Sequence, residues 1–366
     1  MTTIACNTNT NTMDPVDVVG GVDTHQDTHT AAAIDGTGRL LGHRTFMATG
    51  AGYRALLAWL RSWGTVEVVG VEGTGAYGAG LAEHLRTAGV DLVEVDRPDR
   101  KTRRSTGKSD PIDAEAAARA ALGRVRTGVP KVRDGKVEAL RNIRVARRSA
   151  VDQRADCQRR IKTLIVTAPD HLRAQLRGLP KRELLNTCAA LRPDTEQIAD
   201  PTQATKVALR ALARRHAALT QEINELDALI EPLVAALNPA LLALNGVGPD
   251  TAGQLLVTAG ENTDRLHSEA AFAMLCGAAP IPASSGKTHR HRLNRGGDRQ
   301  ANAALYRIVL CRLRWDHRTQ AYMTRRTTEG LSTKDIIRCL KRLVAREVFY
   351  ALTTHATTPT TLTTAA

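Results

Sequence analysis

The chain has 366 residues, enough for two or three domains that each bury a core, and a formal charge of +14. That excess points to a polyanionic partner, because Lys and Arg that neutralise phosphates release condensed counterions. The sequence has no run of 18 apolar residues and no basic-then-apolar leader, so neither a membrane helix nor a signal peptide is expected. Six cysteines are scattered without a CxxC pair; no zinc site or disulfide framework is readable, and a reducing, cytoplasmic setting is expected.

Residues 1–14 and 353–366 are Thr-rich, poor in bulky apolar side chains and expected to be disordered. A first zone, 15–128, opens with three strand-like pieces, VVGGVD, HTAAAID and RLLGHRTF, joined by Gly- or Asp-containing turns. A helix follows, then the buried-strand run VEVVGVE, a helix from about Tyr77 to Ala88, the short strand DLVEV, a basic loop over 97–108 and an Ala-rich helix from Pro111. Three strands followed by alternating helix and strand predict a mixed α/β sheet.

A second zone, 129–238, is helical and Arg-rich. Leu209, Leu212, His216, Leu219, Ile223, Leu226, Ile230, Leu233 and Leu237 alternate spacings of three and four, the seam of a coiled coil, which is expected to mediate subunit contact. Pro232 is expected to kink or stop this helix, and His216 is better read as a core or register-setting residue than as a ligand. In the third zone, 239–352, LNGVGPDTAGQLL fits a helix-hairpin-helix whose Gly246 and Gly248 would bring backbone N–H groups to a phosphate; an ordinary tight turn fits as well. Between Lys287 and Arg346 stand 16 Lys and Arg against four Asp and Glu.

Four acids stand where a ribonuclease-H-like sheet would gather them. Asp23 closes the first strand, Glu72 closes VEVVGVE, and Asp110 and Asp113 open the Ala-rich helix. Carboxylates in that arrangement suit Mg2+ or Mn2+ and the two-metal chemistry of phosphodiesters. Taken alone, Asp110 and Asp113 are better explained as helix capping, with Asp110 at the N-cap. Asp23 is harder to dismiss, since a carboxylate at the end of an apolar strand is costly to bury without a partner. Asp27 and Asp35 read as turn residues. Sugar kinases and actin-like ATPases share this opening, but no late glycine-rich adenosine-binding segment is visible. In PIPASSGKTHRHRLNRGGDRQ, two serines precede a cluster of Arg and His that could stabilise a pentacoordinate phosphate, if a hydroxyl there were activated.

The combination of D…E…DxxD, a helical middle, and NGVGPDTA … GAAPIPASSGK … RGGDRQAN resembles the DEDD transposases of the insertion-sequence one-hundred-ten family, relatives of pilin-gene invertases, over about residues 17–350. The resemblance implies a RuvC-like (ribonuclease-H-like) α/β domain, a coiled-coil middle and a mostly α-helical transposase domain. It implies metal ligation by Asp23, Glu72, Asp110 and Asp113. It also implies a serine nucleophile at Ser285, with Ser284 as runner-up, that holds cut DNA covalently. Donor and target DNA, a noncoding bridge RNA and homodimers or homotetramers are the implied partners; in these the carboxylates of one subunit meet the serine of another. The expected backbone contacts are Arg100, Lys101, Arg103, Arg104 and Lys108 in the basic loop, with Gly246, Gly248, Lys287, Arg290, Arg292, Arg295 and Arg299. RGGDRQAN departs from the expected GN and arginine pair, which leaves the individual phosphate contacts open. Two other readings remain: a junction-resolving nuclease using metal-activated water, and a non-catalytic nucleic-acid-binding protein.

Overall fold

The computed structural model describes residues 17–95, 109–125, 127–288 and 290–354. The basic loop residues Arg100, Lys101, Arg103, Arg104 and Lys108, and nearly all of both expected disordered ends, lie outside these. The chain separates into two compact units, 1–133 and 134–366.

The first unit is a mixed sheet with helices on both faces. Its strands are β1 (Asp17–Thr24), β2 (Thr28–Asp35), β3 (Leu40–Met47), β4 (Thr65–Glu72), β5 (Asp91–Val95) and β6 (Thr127–Gly128), in the order β3-β2-β1-β4-β5-β6. β1 pairs antiparallel with β2 and parallel with β4, and β4 pairs parallel with β5. This mixed α/β domain followed by helices is consistent with a RuvC-like fold. On one face, α1 (Gly50–Arg61) and α2 (Ala79–Thr87) bury Leu56, Leu60, Leu81 and Leu85 against Val18, Val22 and Val71. On the other lies α3 (Asp110–Leu122), whose Ala117, Ala118 and Ala121 cover Val19, Val68 and Val93.

The small residues of α3 have a physical purpose. A Cβ on Gly21 would lie 2.1 Å from the Ala118 nitrogen and 2.2 Å from the Ala114 oxygen, and one on Gly70 2.7 Å from the Ala117 oxygen. The helix therefore rests on the main chain of β1 and β4, which only Gly in the strands and Ala in the helix permit.

The second unit is helical. Its frame is a pair of long helices, α4 (Lys136–Thr167) and α7 (Pro201–Leu237), bridged by α5 (Asp170–Leu176) and α6 (Lys181–Ala190). The leucine seam is occupied within the chain. Leu219 and Ile223 pack with Ala150 and Cys157 of α4, and Leu209 packs with Ile161 and Ile165. These seam residues are buried by an intrachain partner, so the expected use of the seam as a subunit contact is replaced by packing on α4. His216 sits on this seam within 2.6 Å of Gln158. Burial first, then the charges of Arg154 and Lys181, lower its pKa, as suits a packed neutral imidazole.

Pro232 neither ends nor breaks the helix assignment, which runs on to Leu237. Pro232 and Ala228, whose carbonyl loses its partner, both face solvent, where water can take the place of the missing N–H. The remaining helices are α8 (Pro239–Ala243), α9 (Pro249–Ala259), α10 (Glu269–Leu275), α11 (Arg299–Trp315), α12 (His317–Thr328) and α13 (Thr333–Thr354). They share a core centred on Leu255, Phe272, Leu305, Ile308 and Val348. α13 continues two residues into the expected tail.

Candidate active site

Strand alternation fixes where the acids point. Val19, Gly21 and Asp23 share one face of β1, and Val68, Gly70 and Glu72 share the same face of β4, the face covered by α3. Val22 pairs with Val71, so Asp23 and Glu72 end neighbouring parallel strands at the same height. Thr24 ties the two ends together, its hydroxyl donating to the Glu72 carbonyl at 2.8 Å. Because Ala114 rests on Gly21, the turn of α3 before it, with Asp110 and Asp113, arrives at Asp23.

Asp23, Glu72 and Asp113 are all buried, while Asp110 is half-buried. Burial pushes the Asp23 carboxyl above its ordinary pKa; His25 pulls it back, and the negative charges of Asp113 and Asp110 push it further up. The capping alternative fails for Asp110. The N-cap is Ser109, and the Asp110 carboxylate turns instead towards His25, 3.4 Å from its Nε2. Asp35 is the turn residue expected. It accepts from the N–H groups of Thr37 and Arg39 and from the Thr37 hydroxyl, which hold its pKa down at about 2.

His25 was not among the expected site residues. Its Nε2 lies 3.2 Å from Asp23 Oδ2, and ligand atoms of Asp23, His25 and Asp110 all fall within 4.8 Å of one another. The signal was available as Asp-x-His at the strand end, a spacing that repeats the face of Asp23. Crowded hard-oxygen donors with a raised carboxyl pKa are a donor set that a divalent cation fits.

The serines lie in the second unit, on a short ribbon formed by β7 (Ile281–Pro282) and β8 (His291–Arg292). Ser285 and Thr288 exchange backbone hydrogen bonds of 3.1 and 3.0 Å around a two-residue turn, with Gly286 at φ 52°. The Ser284 hydroxyl is engaged with the Arg290 backbone, accepting its N–H at 3.2 Å. The Ser285 hydroxyl has no hydrogen-bond partner among the described residues. Lys287, Arg290, Arg292, Arg295 and Arg299 are exposed around or beyond this ribbon.

The departure in RGGDRQAN has a structural reason. Asp298 caps α11, accepting from Gln300 and Ala301, and also accepts from Thr258 at 2.6 Å. Gly297 has φ 80° and packs on the Leu275 carbonyl. The glycines of LNGVGPD are likewise used inside the chain. Gly246, at φ 74°, packs on Arg312, whose Nε donates to the Asn245 carbonyl at 2.7 Å. The Gly248 N–H donates to Thr251 Oγ1 at 3.1 Å, and α8 is only five residues long. The turn is therefore a tight helix–helix connection, and the Gly248 amide is already taken.

The comparisons with known proteins point to transposases for both the sheet unit and the helical unit that follows it. One family model described as a transposase, of the DEDD IS110 type, matches residues 20–168, and the Transposase IS116/IS110/IS902 family matches residues 238–324. The chain belongs to the IS110 family of insertion-element transposases. It is 30% identical over 143 residues to the 43.6 kDa protein of insertion element IS110 from Streptomyces coelicolor, covering 38% of this chain and 35% of that one. It is 29% identical over 158 residues to the 42 kDa protein of insertion element IS900 from Mycobacterium paratuberculosis, covering 42% and 40%. The matches thus span well under half the length of these relatives.

Proposed function

We propose that this protein is an RNA-guided DNA recombinase that moves an insertion sequence. The observation that supports this reading is the approach of Asp110 and Asp113 to Asp23, with Glu72 ending the neighbouring parallel strand on the same sheet face. A divalent cation, Mg2+ or Mn2+, would be held there by these carboxylates and supply positive charge to the phosphodiester oxygens.

The Ser285 Oγ attacks phosphorus, forming a phosphoserine ester as the bond to the departing nucleoside oxygen breaks. The serine proton leaves with the attack, and the departing oxygen gains one. In the reverse step a nucleoside hydroxyl displaces serine, so no external energy is needed. The unpartnered hydroxyl of Ser285, against the engaged one of Ser284, favours Ser285 in this role. Exposed Lys287, Arg290, Arg292, Arg295 and Arg299 would hold nucleic-acid backbone as sequence-independent contacts, beside the basic loop. Donor and target DNA are the substrates and a structured RNA the guide. A homomultimer in the cytoplasm, at the nucleoid, brings carboxylates and serine together.

The test is denaturing electrophoresis of the protein incubated with labelled donor DNA. A covalent adduct is expected for wild type and Ser284→Ala and absent for Ser285→Ala. Cleavage without an adduct in wild type would instead mark a nuclease using water. An Asp23→Ala protein that recombines like wild type would overturn the carboxylate assignment. Sequencing the co-purifying RNA tests guidance, since one discrete RNA is expected and a random cellular mixture would refute it.

A further inference from the structure

His25 has no part in the four-acid reading, yet it stands against two of its members, Asp23 and Asp110. Its backbone N–H donates to the Thr28 carbonyl at 3.0 Å, which fixes the β1–β2 turn and directs the ring to the α3 side of the sheet. Its Nε2 is 3.2 Å from Asp23 Oδ2 and 3.4 Å from Asp110 Oδ1. An octahedral cation with bonds of about 2.1 Å places adjacent ligand atoms roughly 3.0 Å apart and opposite ones roughly 4.2 Å apart. Both distances from Nε2 are close to the adjacent spacing, and one oxygen of each aspartate and the imidazole nitrogen all lie within 4.8 Å of one another.

The chemistry of the third ligand selects the ion. Mg2+ binds oxygen almost exclusively, whereas first-row transition ions accept imidazole, and Mn2+ accepts imidazole together with carboxylate. We propose that His25 Nε2 is a third ligand to the cation held by Asp23 and Asp110, and that it makes this site prefer Mn2+ over Mg2+. The inference rests on the metal-binding role given to the carboxylates above.

The experiment is Mn2+ binding to the full-length chain, followed by the loss of the free-ion electron paramagnetic resonance signal, with Mg2+ measured by competition. Pulsed resonance on the bound ion reads directly coordinated nitrogen. Wild type is expected to show nitrogen coupling, which disappears in His25→Ala with at least a tenfold loss of Mn2+ affinity, while Mg2+ affinity changes less than about twofold. His25→Asp, which replaces nitrogen by oxygen, is expected to bind Mn2+ without nitrogen coupling, to keep binding Mg2+ and to lose the preference for Mn2+. Absence of nitrogen coupling in wild type, or unchanged or tighter Mn2+ binding in His25→Ala, overturns the inference and makes His25 a counter-ion. In that case Asp23→Ala still abolishes binding and the carboxylate site stands. If Asp23→Ala also binds Mn2+ like wild type, the carboxylate site falls and this inference with it.

Discussion

Gly21→Ala is the sharpest test of how the site is built. The new methyl would sit 2.1 Å from the Ala118 nitrogen and 2.2 Å from the Ala114 oxygen. Both are main-chain atoms of α3, so no side chain can rotate away. Ordinary contact begins near 3.4 Å, so the helix must retreat by about 1.3 Å or the strand must bend by as much. Overpacking costs typically 1–3 kcal/mol, and rigid backbone on both sides places this case at about 3 kcal/mol. For a unit of this size that is a fall in melting temperature of roughly 10 °C. The same retreat carries Asp110 and Asp113 away from Asp23, and a displacement of about 1 Å at reacting groups costs on the order of 100-fold in rate. Thermal unfolding by circular dichroism and DNA cleavage by the same preparation read the two effects. Gly36→Ala is the control, since its Cβ would meet nothing nearer than the Asp17 Cβ at 4.0 Å. A Gly21→Ala protein that melts and cleaves like wild type would mean that α3 does not rest on β1.

Asp250 accepts from Arg144 at 2.9 Å, Arg147 at 3.1 Å and Arg307 at 2.6 Å, so Asp250→Ala leaves three guanidinium groups facing one another. With the carboxylate about a quarter exposed, the loss is expected near 2 kcal/mol by urea unfolding, below the 3–5 kcal/mol of a fully buried pair. Glu269 is held by Arg342 and Arg346, which lower its pKa from 4.5 to about 2. A depressed carboxyl pKa stabilises the fold above the ordinary value and loses that contribution as pH falls through the depressed one. Glu269→Gln is therefore expected to melt below wild type at pH 7, with the gap closing between pH 4.5 and 2; a gap constant with pH would contradict this. Asn238 caps α8 through Leu241 and donates to the Ala351 carbonyl at 3.0 Å. Asn238→Ala is expected to lose about 2 kcal/mol in the same unfolding assay.

The strands of the first unit were legible because their apolar runs end in Gly, Asp or Glu, and the acids because they sit at those ends. What the sequence did not announce is the means by which Asp110 and Asp113 approach Asp23, which depends on Gly21 and Gly70 letting a helix touch the sheet. Asp110 shows the limit of local rules. Its sequence context fits an N-cap, but the carboxylate is drawn to His25. The leucine seam of α7 was read correctly as apolar and half-correctly as to its partner, because periodicity tells that a stripe is buried and not which helix buries it. Pro232 does not stop the helix, since a proline on a solvent-facing stretch gives up one hydrogen bond that water can replace. The pairing of Gly246 with Arg312 joins residues far apart in sequence and lies beyond any local pattern.

The ribbon that carries Ser285 has a further consequence. Ser285 flanks a two-residue reverse turn, and among the described residues its hydroxyl is exposed and not enclosed by the ribbon. Steric exclusion by the ribbon itself does not choose which phosphate it meets. On the role proposed for it, the choice of DNA position is made by whatever presents the strand, and the ribbon itself is indifferent to the bases on either side.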